Sequence, residues 1–178
     1  MKGARFYYWH EPFGPIRRRS RLDPRAHPLH CVRPGLQPKA TMIKEFWLNL
    51  PVKNLARSRE FFRQLGFNFN DQHGQPGMVS LLIGEKGLMI NLFPDDTFKG
   101  FAAADVSDAR RSAEVLLSFD AGSRAEVDAI TEKARAAGAT VFGEPAPVQG
   151  WMYGSGFADL DGHRWNVLFM DFDKMPKG

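Results

Sequence analysis

The sequence predicts an α+β fold of two tandem βαβββ modules that form a shared cleft. Three observations carry this. From Met42 onward, a strand-like stretch, a capped amphipathic helix and three further strand-like stretches follow one another, and the same order then repeats. The strands alternate with period two, so each has an apolar face and a mixed one. Each helix has a start signal and a closing glycine at the matching place.

The first module covers about 42–97. In KEFWLNLPV (44–52), Phe46, Leu48 and Leu50 fall on one face and Glu45, Trp47 and Asn49 on the other. Pro51 sits near the strand's end, where a missing ladder donor costs little. Asn54 caps a helix through LARSREFFRQL, with Leu55, Ser58, Phe62 and Leu65 at helical spacing and Gly66 as its stop. Short strands follow near 67–70, 78–83 and 88–93, with turns at 73–77 and 84–87.

A linker near 94–112 contains Phe98-Lys99-Gly100-Phe101, suited to a flap. The second module covers about 112–171. AEVLLSF (113–119) alternates, and SRAE (123–126) is a capping box at a helix start. Val127, Ile130, Ala134 and Ala137 continue at helical spacing to Gly138. Strands near 140–143, 151–158 and 163–170 complete the module, with Asp161-Gly162 as a hairpin signal.

The helix-facing residues 46/48/50, 88/90/92, 115/117/119 and 165/167/169 are apolar. The opposite faces carry Trp47, Asn49, Asn91, Glu114, Ser118, Arg164 and Asn166 among Met and Leu. Polar groups on an apolar ground suit a small-molecule pocket.

Composition sets bounds on partners. Residues 1–41 hold nine Lys or Arg against two acids, six of the twelve prolines and the run Arg17-Arg18-Arg19-Ser20-Arg21. They show no apolar periodicity and read as a disordered basic tail or as upstream read-through. The remaining 42–178 carry a net charge of −3, so the basic pI of 9.4 belongs to the tail. A nucleic-acid-binding face is not indicated in the main domain, and no apolar run suits a membrane span. The one cysteine, Cys31, permits no intrachain disulfide and no cysteine-based zinc site, which fits a reducing, cytoplasmic setting.

With these stretches in view, the chain resembles the vicinal oxygen chelate superfamily. That group includes glyoxalase I-like lyases, extradiol dioxygenases, thiol transferases of fosfomycin resistance and bleomycin-binding proteins. The resemblance rests on LPVKNLARSREFFRQLGF, SRAEVDAITEKARAAGATVF and MYGSGFADLDGHRWNVLFMD, and spans 42–171. It implies four metal-ligand positions in the cleft, which fall on Trp47, Asn91, Glu114 and Asn166. Histidine, Glu or Gln commonly occupies them in metal-dependent members. Here only Glu114 is a strong anionic donor; indole N–H cannot coordinate, and Asn offers a weak neutral oxygen. None of His10, His27, His30, His73 and His163 falls at a cleft-facing strand centre.

Each candidate has a functional reading and a plainer one. Glu114 is a general base raised by an apolar cleft, or it pairs with Arg164 or a lysine, or it is exposed at a strand start. Asn49, Asn91 and Asn166 orient a ligand's carbonyl or amide, or form a hydrogen-bonded seam. Trp47 stacks on a planar ligand or fills volume, and Trp151 and Tyr153 line the pocket mouth or simply pack. Asp159 and Asp161 lack the further oxygens of a calcium loop and read as a turn.

The expectation is a protein that binds a small apolar or aromatic molecule, with no cofactor. The alternative is a lyase, isomerase or dioxygenase using a divalent metal ion, with Glu114 as ligand or base. The resemblance implies a homodimer.

Overall fold

The computed structural model describes residues 45–71, 77–85 and 87–176. The basic segment 1–41, its histidines, Cys31, and the turn around His73 lie outside the described residues.

The first module comprises β1 (Trp47–Val52), α1 (Leu55–Leu65), β2 (Asn68–Phe69), β3 (Val79–Ile83) and β4 (Leu88–Pro94). A connecting helix, α2 (Asp95–Ala102), follows. The second module comprises β5 (Leu116–Asp120), α3 (Arg124–Ala136), β6 (Thr140–Val148), β7 (Met152–Ala158) and β8 (Arg164–Met170). The sheets have matching orders, β1-β4-β3-β2 and β5-β8-β7-β6. In each, the first strand pairs parallel with the fourth, and the rest are antiparallel. The tandem βαβββ architecture is therefore present. Among the described residues, no helix is long and apolar enough to cross a membrane.

The helix signals act as their chemistry dictates. Asn54 Oδ1 accepts from the Arg57 amide at 3.0 Å, and Gly66 closes α1 at φ 93°, a left-handed conformation that favours glycine. Ser123 Oγ accepts from the Glu126 amide at 3.2 Å. Glu126 reaches back one residue further than the usual box, accepting from the Gly122 amide at 2.7 Å.

Three boundaries differ from expectation. The flap segment is helical from Asp95, started by Pro94 and two acids that favour a positive helix end. Strand β5 begins at Leu116, because β8 offers its first partner, Arg164, only there; Glu114 and Val115 precede the strand. Strand β6 runs on to Val148 rather than ending at Gly143. It is an edge strand with two register shifts; the second spans Pro145, and the edge position tolerates Pro147.

The apolar faces of both sheets contribute to a main core, beside a smaller cluster of Ala121, Val127 and Val167. Phe61, Phe62 and Leu65 of α1 pack with Leu50, Val52, Ile90 and Leu92 of the first sheet and with Phe157 and Trp165 of the second. The Phe62 ring stands 5.2 Å from Trp165 at 61°, and Phe67 stands 5.3 Å from Phe119 at 81°, both edge-on contacts. Helices α1 and α3 also pack on one another. The outermost residues of the apolar faces, Phe46, Leu88 and Val115, are exposed.

The β7–β8 turn fastens the modules. Asp161 Oδ1 accepts from the Lys53 amide and its Oδ2 from Ser58 Oγ, both at 2.9 Å. His163 Nε2 lies 2.7 Å from the Pro51 carbonyl. The turn itself is organised by Asp159, whose Oδ1 accepts from the amides of Asp161, Gly162 and His163 at 3.0 Å each. Its Oδ2 accepts from Trp165 Nε1 at 3.0 Å. Burial pushes the Asp159 carboxyl above its ordinary range, opposed by the nearby His163 and by these hydrogen bonds.

Candidate functional site

The faces turned away from the helices are built row by row. In the first sheet, Trp47 lies beside Met89 and, two residues on, Asn49 lies beside Asn91, with Ser80 on Asn91's other side. In the second, Leu116 lies beside Arg164, and Ser118 beside Asn166, with Gly156 beyond. Leu116, rather than Glu114, therefore occupies the place that matches Trp47.

Polar groups in the first sheet form a directional chain. Ser80 Oγ donates to Asn91 Oδ1 at 2.7 Å, and Asn91 Nδ2 donates to Asn49 Oδ1 at 3.0 Å. Ser80 and Asn91 are buried, so both need these partners. Asn49 is exposed at the end of the chain, and among the described residues its Nδ2 donates to nothing.

In the second sheet the counterpart of Ser80 is Gly156, and that place is apolar. Gly156 lacks a side chain, and the Phe142 ring lies where its Cβ would be. The Arg164 guanidinium rests on that ring, 4.6 Å from its centre. Leu168 likewise occupies the space above Gly154. Asn166 is half-buried beside this floor.

A cavity of about 370 Å³ joins the modules. Asn49 and Leu50 of β1, Phe98 of α2, Glu114 before β5, Leu117 of β5 and Arg164 of β8 line it. It brings together Asn49 and Glu114 from the expected set. Glu114 is exposed, and among the described residues it enters no ion pair. Trp47 is 51% exposed on the open face, outside the cavity's lining.

Tyr153 lies elsewhere. It pairs with Phe169 and faces α3, its hydroxyl donating to Asp128 Oδ1 at 2.9 Å and its ring 5.4 Å from the Arg124 guanidinium. Trp151 packs beside Phe172, ring centres 6.2 Å apart. Neither lines the cavity that holds Asn49 and Glu114. Sequence reasoning passed over Ser80 and Phe142. Alternation alone marks Ser80 as sharing a face with its neighbour Asn91.

The residues do not fit the metal that the resemblance implies. Trp47 has no lone pair to give, Asn91 Oδ1 already accepts a hydrogen bond from Ser80 Oγ, and Glu114 precedes the strand. Among the described residues, no three His, Cys, Asp or Glu side chains gather to hold an ion. His163 is the one described histidine, and it is bound to the Pro51 carbonyl.

Comparisons with known proteins agree with this architecture. Residues 46–167 match the family model described as Glyoxalase/Bleomycin resistance protein/Dioxygenase superfamily. A hypothetical protein, SA1046 from S. aureus, is similar in structure, with 33% identity and TM-score 0.66, over 72% of this chain and 95% of that one. A glyoxalase/bleomycin resistance protein/dioxygenase family enzyme from Burkholderia phytofirmans PsJN is 19% identical with TM-score 0.60, over 70% and 96%. The fosfomycin resistance protein FosX from Listeria monocytogenes is 20% identical with TM-score 0.54, over 75% and 98%. The last two likenesses concern the fold alone. A search of curated proteins gave no match. With its paired sheets and a family match across nearly all of both modules, the chain belongs to the Glyoxalase/Bleomycin resistance protein/Dioxygenase superfamily.

Proposed function

We propose that this protein binds a small apolar or aromatic molecule between its modules, without the metal site usual in its superfamily. The observation that carries this reading is the fate of Asn91. At a position where relatives of this fold are expected to present a metal ligand, its amide is locked between Ser80 and Asn49. The open faces of the two sheets suit an organic ligand better than an ion. Trp47 and Leu116 offer exposed apolar surface, and Asn49 offers a free donor. The open faces are apolar enough for a second copy to complete the cleft, which favours a homodimer. A reducing, cytoplasmic setting suits a chain with a single cysteine.

One observation favours a second reading. Glu114 lines the cavity with no ionic partner among the described residues, and a carboxylate so placed can act as a general base or as a lone metal ligand. That reading makes the protein a metal-dependent lyase, isomerase or dioxygenase.

Elemental analysis of purified protein separates the two, followed by melting curves across a panel of aromatic and aliphatic compounds. The binding reading expects no stoichiometric transition metal and a melting rise with some aromatic members, weakened by Asn49→Ala. Tightly held Zn²⁺, Ni²⁺ or Fe²⁺ that disappears in Glu114→Ala overturns it.

A further inference from the structure

A second cavity, of about 400 Å³, is surrounded by three arginines from three separate elements. Arg57 comes from the first turn of α1, Arg110 from the α2–β5 connection, and Arg164 from the start of β8. Arg164 is shared with the cleft; the other two line only this space or the groove beside it.

No ion pair neutralises them, as one does Arg59, Arg63 and Arg135; Arg111 and Arg124, outside this cavity, are likewise unpaired among the described residues. Arg59 is bound to Asp71, Arg63 to Glu60, and Arg135 to Glu132 and Glu144. Among the described residues, Arg57, Arg110 and Arg164 have no carboxylate within 4.0 Å. One carboxylate, Asp159, does line the cavity, but it is buried and its oxygens accept from four N–H groups. Three cations against one engaged anion leave a local excess of +2 in a main domain whose overall charge is −3. Such a concentration repels itself unless an anion offsets it.

Two of the three are also held in place. Arg110 Nη2 donates to the Leu160 carbonyl at 2.9 Å, which leaves its other N–H groups to point elsewhere. Its backbone runs so close to the β7–β8 turn that a Cβ on Gly162 would lie 2.8 Å from the Arg110 nitrogen. The Arg164 guanidinium sits over the Phe142 ring, 4.6 Å from its centre, a cation–π contact that holds it in place and uses none of its N–H donors. Thr140 adds a hydroxyl to the wall. Guanidinium forks converging on one open cavity are a recurring means of gripping a tetrahedral oxyanion.

We infer that this cavity binds the oxyanion group, phosphate or sulfate, of a small molecule. The size of the space and the acidic balance of the domain favour a small anion over a nucleic-acid backbone. The inference is independent of what the cleft holds.

Titration calorimetry and melting curves on the full chain test it, with inorganic phosphate, sulfate and an organic monophosphate as probes and chloride at matched ionic strength as control. Phosphate or sulfate should raise the melting temperature beyond chloride. Arg110→Gln and Arg57→Gln should each weaken binding about tenfold or more, and Arg124→Gln, at the start of α3 and outside the cavity's lining, should leave it unchanged. Arg57→Gln keeps the test sharp should Arg110→Gln disturb the turn, because Arg57 is exposed and its side chain bonds nothing among the described residues. Equal shifts with chloride, or wild-type phosphate affinity in Arg57→Gln, overturn the inference. So does an oligonucleotide that binds far tighter than the monophosphate. A compound that binds the cleft should still bind Arg57→Gln, so failure here and failure of the cleft reading are distinguishable.

Discussion

Replacing Asp159 with Asn changes one atom's chemistry and almost nothing of its shape. The carboxylate accepts four hydrogen bonds: three from backbone amides at Oδ1 and one from the Trp165 indole at Oδ2. An amide can keep its oxygen toward the three backbone donors. Its nitrogen then meets Trp165 Nε1 at 3.0 Å, donor against donor. Flipping the amide is worse, since the nitrogen would then face three N–H groups. Trp165 is 1% exposed, so water cannot replace the lost partner. Two buried donors without acceptors cost about 1–3 kcal/mol each, so Asp159→Asn should destabilise the fold by about 2–5 kcal/mol. Urea unfolding measures this directly through the midpoint at constant slope. The pairwise origin is checked in a Trp165→Phe background, where the opposing donor is gone. There the same substitution should cost about 1–2 kcal/mol less, whatever Trp165→Phe costs by itself. A loss below about 1 kcal/mol, or the same loss in both backgrounds, would refute the donor–donor account.

Other substitutions probe other parts of the fold. Gly162→Ala should destabilise by about 2–4 kcal/mol, because φ is 101° and the new Cβ would press on the Arg110 backbone; thermal melting reads this out. Asn54→Ala should cost about 1 kcal/mol in the same assay, the usual worth of a helix cap that accepts a main-chain amide. Glu60 is held down to about 2 by the hydrogen bond from Arg63 and then that from Gln64. Its folded value lies below its ordinary 4.5, so its contribution is present above that pH and lost as pH falls toward 2. The melting difference between wild type and Glu60→Gln, small for so exposed a group, should vanish across that window.

How far the chain could be read depended on the range of the physics. Alternation within a strand is local, and it separated Leu48 and Leu50 from Asn49, and Trp165 and Val167 from Asn166. Capping is local too, and Asn54, Gly66 and Ser123 stand where their chemistry requires. Strand ends were less legible because a partner sets them: Glu114 falls outside β5 only because β8 begins pairing at Leu116. The prolines of β6 masked a strand that an edge position tolerates. Tyr153 shares a parity with Phe169, which places it toward α3; Gly154 and Gly156 belong to the other face. Nothing local announces the three-arginine cavity, since residues 57, 110 and 164 meet only once the modules dock.

That docking bears on how the chain can be made. Phe62, near the start of the domain, is finished only by Trp165, about a hundred residues later. During synthesis the first module emerges with Phe61, Phe62 and Leu65 facing no second sheet, and it stays open to aggregation or chaperone capture until β8 arrives. Cutting the chain between the modules should therefore yield two sticky halves rather than two small folded proteins. Unfolding of the intact domain should be a single transition, because the aromatic cluster belongs to neither half.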